Sequence, residues 1–138
     1  MTNGKIYIDK YDWIVYFYFD IDDDNLEEVS DKLKSVGADE QQIAEANLTF
    51  EDYRLNLGVT FSNCVSKVSV IIITKTSDAS QFINSFSHEV RHVENHIAKT
   101  YNIDENSEEV CYMIGYISQK LYKRSSFLFC DCCRNNDY

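Results

Sequence analysis

The stretch VSVIIITKTSDASQFINSFSHEVRHVENHIAKTY, residues 68–101, passes from a run of β-branched apolar residues into a segment of helical period, and the rest of the chain is read outward from it. Residues 67–74 read as a strand, with its most apolar part at 68–73. At about 100° per residue, Phe82, Ile83, Phe86, Val90, Val93 and Ile97 line one face, which predicts an amphipathic helix over 80–101. A polar stretch at 102–106 leads to a second helix over 107–123. Upstream, 55–62 pairs with 67–74 as a hairpin across 63–66. Residues 5–8 and 13–19 (WIVYFYF) read as two further strands around a tight turn at 9–12, the second apolar on both faces and so buried. Leu26, Val29, Leu33 and Val36 recur at helical spacing between the Asp22, Asp23, Asp24 cluster and Gly37, giving a helix over 25–36, and 39–47 forms another short one. With strands concentrated early and the long helices last, the fold class expected is α+β, a small mixed sheet packed on the 80–101 helix and its successor.

Composition narrows the function classes. One chain of 138 residues is one domain's length, and no proline with only four glycines leaves no linker. Residues 125–138 read as a flexible, cysteine-containing tail. Thirteen Lys and Arg against 23 Asp and Glu give a net charge of −10, which repels phosphate backbones and argues against nucleic-acid binding. The longest apolar run, 13–19, is far below the roughly 18 residues of a membrane helix. The first residues, MTNGKIYIDKYDW, lack the basic-then-apolar order of a secretory signal, so the expected location is cytoplasmic. Five cysteines, an odd number with three at 130, 132 and 133, fit reduced thiols better than a disulfide framework. Asp20, Asp22 and Asp24 alternate like the start of a calcium loop, but Asn25 and Asp31 stand where Gly and Glu are usual, and a helix cap explains them. Three thiols within 130–133 have only Asp131 beside them as a fourth metal ligand, and an exposed, oxidation-prone tail is the plainer reading.

The chemistry lies in His88-Glu89-Val90-Arg91-His92, an HExxH string inside the helix. One turn separates the two histidines, which differ by about 40° around the axis, so both imidazoles can reach one ion while the apolar stripe stays intact. Zinc suits two neutral imidazoles plus a carboxylate, with an open position for water, and Glu89 is then the general base. The candidates for the third ligand are His96, Asp104, Glu105, Glu108 and Glu109. His96 lies about 12 Å along the axis from His88, Asp104 and Glu105 read as a solvated turn, and Glu108 and Glu109 open the next helix. On that helix Glu108, Tyr112, Gly115 and Gln119 share a face; Gly115 would let the helices approach, and the Tyr112 hydroxyl could serve a developing oxyanion. Val110, Ile114, Ile117 and Leu121 face the other way, so this helix must be sandwiched between the motif helix and something apolar.

These residues resemble the HExxH zincins, in the gluzincin branch whose third ligand is a glutamate on the following helix. Residues 60–121, with TFSN, an apolar strand, SFSHEVRHVENHIA and SEEVCYMIGYI, also resemble small HExxH proteins of gut bacteria and their phages. The resemblance implies Glu108 as the third ligand and Tyr112 as the aromatic of the pattern, with Cys111 where a small residue is expected. It further implies a zinc metallopeptidase that hydrolyses peptide bonds with a zinc-activated water, Tyr112 or Arg91 stabilising the oxyanion. A peptide or protein substrate would dock along an edge strand, assigned to Val68–Thr74. At this length no C-terminal subdomain that would wall off a deep cleft is expected. The other readings are a non-catalytic zinc-binding structural or interaction module, and a metal-free structural protein of a phage or mobile element.

Overall fold

The computed structural model describes residues 1–134. Two hairpins build one four-stranded mixed sheet in the order β1-β2-β4-β3. Strand β1 (Thr2–Ile8) runs antiparallel to β2 (Trp13–Ile21), β2 runs parallel to β4 (Val68–Thr74), and β3 (Gly58–Asn63) runs antiparallel to β4. The two central strands are the two whose side chains are apolar on both faces, being paired on both edges and covered above and below. The parallel β2–β4 pair requires a crossover, which α1 (Leu26–Ser35) and α2 (Glu40–Phe50) supply. Asp22 caps the short turn that leads into α1, with Asn25 completing the capping box, so the aspartate cluster acts as a helix start. Asp20 stands at positive φ where the β2 register slips, which carries Ile21 to the opposite face from Phe19.

Each face of the sheet carries its own core. Tyr18, Val70 and Ile72 point towards Val29, Leu33, Ala46 and Phe50 of α1 and α2. Trp13, Val15, Phe17, Phe19, Ile71 and Ile73 point towards α3 (Ala79–Tyr101) and α4 (Glu108–Ser125). Mixed α and β structure is as the sequence implies, with helices on both faces of the sheet. Asp78 caps α3 by accepting from Gln81 N at 2.8 Å, and Asn102 at φ 54° ends it. Of the apolar stripe on α3, Phe82, Phe86, Val90, Val93 and Ile97 are buried, and Ile83 is exposed.

Two expectations are corrected here. Val68–Thr74 is not an edge strand: β4 is hydrogen-bonded on both sides, and the strand beside α3 with a free edge is β3. The segment expected as a flexible tail is folded through residue 134. Leu128 is buried, Phe129 sits edge-on to Phe82 and Phe86 at 5.0 Å, Asp131 accepts from Ala79 N at 2.7 Å, and Arg134 reaches Thr76. Leu128 and Phe129 pack on the α3–α4 core, which gives the segment a fixed place; residues 135–138 of the expected tail lie outside the described residues. Among the described residues, no helix is long and apolar enough to cross a membrane.

Candidate metal centre

Helix α3 presents four directions. Its apolar stripe meets the sheet, Arg91 and Glu94 lie towards the α3–α4 connection, Glu89 and His96 meet β3, and His88 and His92 stand between β3 and solvent. The two Nε2 atoms are 3.1 Å apart. Tetrahedral ligands about 2.0–2.1 Å from one zinc are separated by about 3.3 Å, so the pair is set for a shared ion. Together with Glu89 they form a group whose ligand atoms all fall within 4.8 Å of one another.

Glu89 is the unusual member, because its side chain is buried although it carries a carboxylate. It is 3% exposed. Its Oε2 accepts from Thr60 Oγ1 at 2.6 Å, and its Oε1 lies 3.9 Å from His88 Nε2. The room for it comes from Gly58, where an added Cβ would stand 2.8 Å from Oε1. On β3, alternate residues Gly58, Thr60 and Ser62 face α3, while Val59 and Phe61 join the opposite core. The period-two sequence of that strand carries this signal: small or hydroxylated residues alternate with apolar ones, although which helix they meet is not local information.

His96 belongs to a different network. Trp13 Nε1 donates to Ser69 Oγ at 2.8 Å, Ser69 Oγ is 2.7 Å from Ser62 Oγ, and Ser62 Oγ is 2.6 Å from His96 Nδ1. Burial, with His92 and Lys99 nearby, lowers the pKa of His96, so its ring is neutral at pH 7.

The structure does not bring Glu108 and Tyr112 to the histidines. Val110, Met113, Ile117 and Leu121 are the buried face of α4, and Glu108 lies about 160° around the helix from Val110. Tyr112 is 72% exposed, and among the described residues nothing lies within 4 Å of a Cβ placed on Gly115. The apolar residues thus set the rotation of α4, which has one covered face and is not sandwiched; the face with Glu108, Tyr112, Gly115 and Gln119 turns to solvent. The other candidates are engaged elsewhere. Glu109 accepts from the Tyr11 hydroxyl at 2.7 Å and pairs with Lys10 at 3.2 Å, and these contacts lower its pKa. Asp104 accepts from Asn106 N at 2.9 Å, and Glu105 accepts from Asn95 Nδ2 at 2.9 Å. Arg91 bonds the carboxylate of Glu94 and lies 3.5 Å from Glu105, away from any oxyanion at the histidines.

Glu94 is fully buried, and burial together with the Glu105 carboxyl pushes its pKa up to about 7. Its Oε1 and the Glu105 Oε2 both lack a donor among the described residues, which two neighbouring carboxyls satisfy when a proton sits between them. A second candidate metal group, Cys130, Cys132 and Cys133, also has its ligand atoms within 4.8 Å of one another. Hydrogen bonds from Cys132 and Cys133 lower the Cys130 thiol to about 7, and the hydrogen bond to Cys130 and its charge push Cys132 up to about 11.

No protein-family model, no curated protein and no solved structure matches the chain.

Proposed function

We propose that the chain is a zinc-dependent hydrolase of the peptidase type, with the ion held by His88 and His92 and with Glu89 as the general base. The observation that carries this reading is the Glu89 carboxylate, buried and fixed by Thr60 yet 3.9 Å from His88 Nε2. A buried carboxylate aimed at two imidazoles is an expensive arrangement for stability alone, since burying a charge without an opposite partner is unfavourable. Bound zinc supplies a Lewis acid that polarises a carbonyl and makes water a stronger acid. The protein's own part is then proton handling and positioning. Glu89 Oε1 takes a proton from the attacking water and returns it to the departing amine nitrogen, while Thr60 holds Oε2 so that the carboxylate keeps its aim. Strand β3 has a free edge beside this carboxylate, where an extended peptide can pair with the backbone and run past the histidines.

A second reading, a metal-binding interaction module without catalysis, is favoured by one observation: neither Tyr112 nor Arg91 reaches the histidines to serve an oxyanion. Metal content and hydrolysis separate the two. Protein prepared without chelator or metal-affinity tag should lose one zinc equivalent in His88→Ala and in His92→Ala and lose none in Glu89→Gln and Glu108→Ala. A peptide library should be cleaved by the wild type and left intact by Glu89→Gln. Cleavage by Glu89→Gln at the wild-type rate sinks the hydrolase reading, and a zinc content that neither histidine variant lowers sinks the site itself.

A further inference from the structure

Three thiols meet on a platform at the far end of α3 from its C-terminal half. The platform is built by residues 126–134: Leu128 is buried, Phe129 packs edge-on to Phe82 and Phe86, and Arg134 Nη1 donates to Thr76 Oγ1 at 2.8 Å. Asp131 has its own task, accepting from Ala79 N at 2.7 Å at the start of α3. With both ends of the turn anchored, Cys130, Cys132 and Cys133 are brought to one place, their sulfur atoms within 4.8 Å of one another and Cys130 Sγ only 3.0 Å from Cys132 Sγ. A three-thiol array with the neighbouring carboxylate engaged elsewhere is a soft donor set, with one position left for a water or an external ligand.

We propose that Cys130, Cys132 and Cys133 form a second metal site, for a soft thiophilic cation of the zinc(II) or copper(I) class. The site is independent of the hydrolase reading. His88 lies nine residues along α3 from Ala79, about 13 Å of helix axis, so neither site can borrow a ligand from the other. Each coordinating thiol releases its proton to solvent on binding, so occupancy falls on acidification. Cys64 and Cys111 are exposed on other elements and take no part.

The test uses the full chain, reduced with a non-chelating phosphine, in a His88→Ala/His92→Ala background so that the imidazole site is removed. Cadmium(II) is the probe, read by thiolate-to-metal charge-transfer absorption. One equivalent should produce the absorption, Cys132→Ser should weaken binding at least tenfold, and Cys130→Ser/Cys132→Ser/Cys133→Ser should abolish it. Cys64→Ser/Cys111→Ser should leave it unchanged. Circular dichroism of each variant confirms that the fold is kept. Displacement of cadmium by zinc(II) or by copper(I) identifies the ion. No absorption, absorption that survives the triple variant, or displacement by neither ion overturns the proposal.

Discussion

The Thr60 hydroxyl donates a 2.6 Å hydrogen bond to Glu89 Oε2, tying the edge strand β3 to the motif helix α3. A buried carboxylate with one strong donor depends on that donor. Thr60→Val should therefore lower stability by about 1–3 kcal/mol, measured by urea unfolding, and Thr60→Ser should restore most of it. A stability unchanged in Thr60→Val would show that the carboxylate is satisfied without the strand.

Gly58 makes the same contact possible by having no side chain. Its Cβ would lie 2.8 Å from Glu89 Oε1 and 2.9 Å from Cγ. Gly58→Ala should destabilise by about 1–3 kcal/mol, and Glu89→Ala should relieve the clash. The double-mutant cycle is the check: a coupling of about 1 kcal/mol or more is expected, and strict additivity would contradict the geometry.

Glu94 should make stability depend on pH. Its folded pKa, about 7, stands above the ordinary glutamate value, so the neutral carboxyl is the form the fold prefers. Its contribution is complete below the unfolded value of about 4.3 and is lost as pH rises through 7, a loss on the order of 3 kcal/mol. Glu94→Gln keeps a neutral group beside Arg91 and Glu105 and should remove this slope. Urea unfolding with a chelator present, at pH 5 and pH 8, should show the variant gaining on the wild type by that amount; a constant difference would refute it.

Cys130 should be the first thiol to react. Its thiolate fraction rises through about pH 7, since the thiols of Cys132 and Cys133 donate to it. Iodoacetamide labelling in the absence of metal should show a fast phase that titrates near pH 7 and vanishes in Cys130→Ser. A fastest phase that titrates like an ordinary thiol, at about pH 8.5, would count against the hydrogen bonds.

Leu128→Ala tests the anchoring of the C-terminal segment. Leu128 is 3% exposed within the α3–α4 core, so truncation should cost about 2–5 kcal/mol. A mobile segment would tolerate the change with no shift in the unfolding midpoint.

Period and punctuation in the sequence were enough for the elements. The helix read over 80–101 is Ala79–Tyr101, the strand over 13–19 is Trp13–Ile21, and the hairpin strands are Gly58–Asn63 and Val68–Thr74. The meeting of His88 and His92 was equally legible, because residues four apart on a helix share a face whatever surrounds it. Strand order was not legible: that β4 lies inside and β3 at the edge follows from the β2–β4 parallel pairing, a contact between segments more than fifty residues apart. The rotation of α4 is likewise set by packing. Glu108 and Tyr112 lie on one face in the sequence, but Val110, Met113, Ile117 and Leu121 bury the other, and burial turns the polar face outward. The chain by itself determined which residues a metal could find on α3, through local helical geometry. Only the tertiary structure decided what stands behind them, Gly58 and Thr60 of β3 in place of Glu108 of α4, because long-range burial and strand pairing choose the neighbours of a helix face.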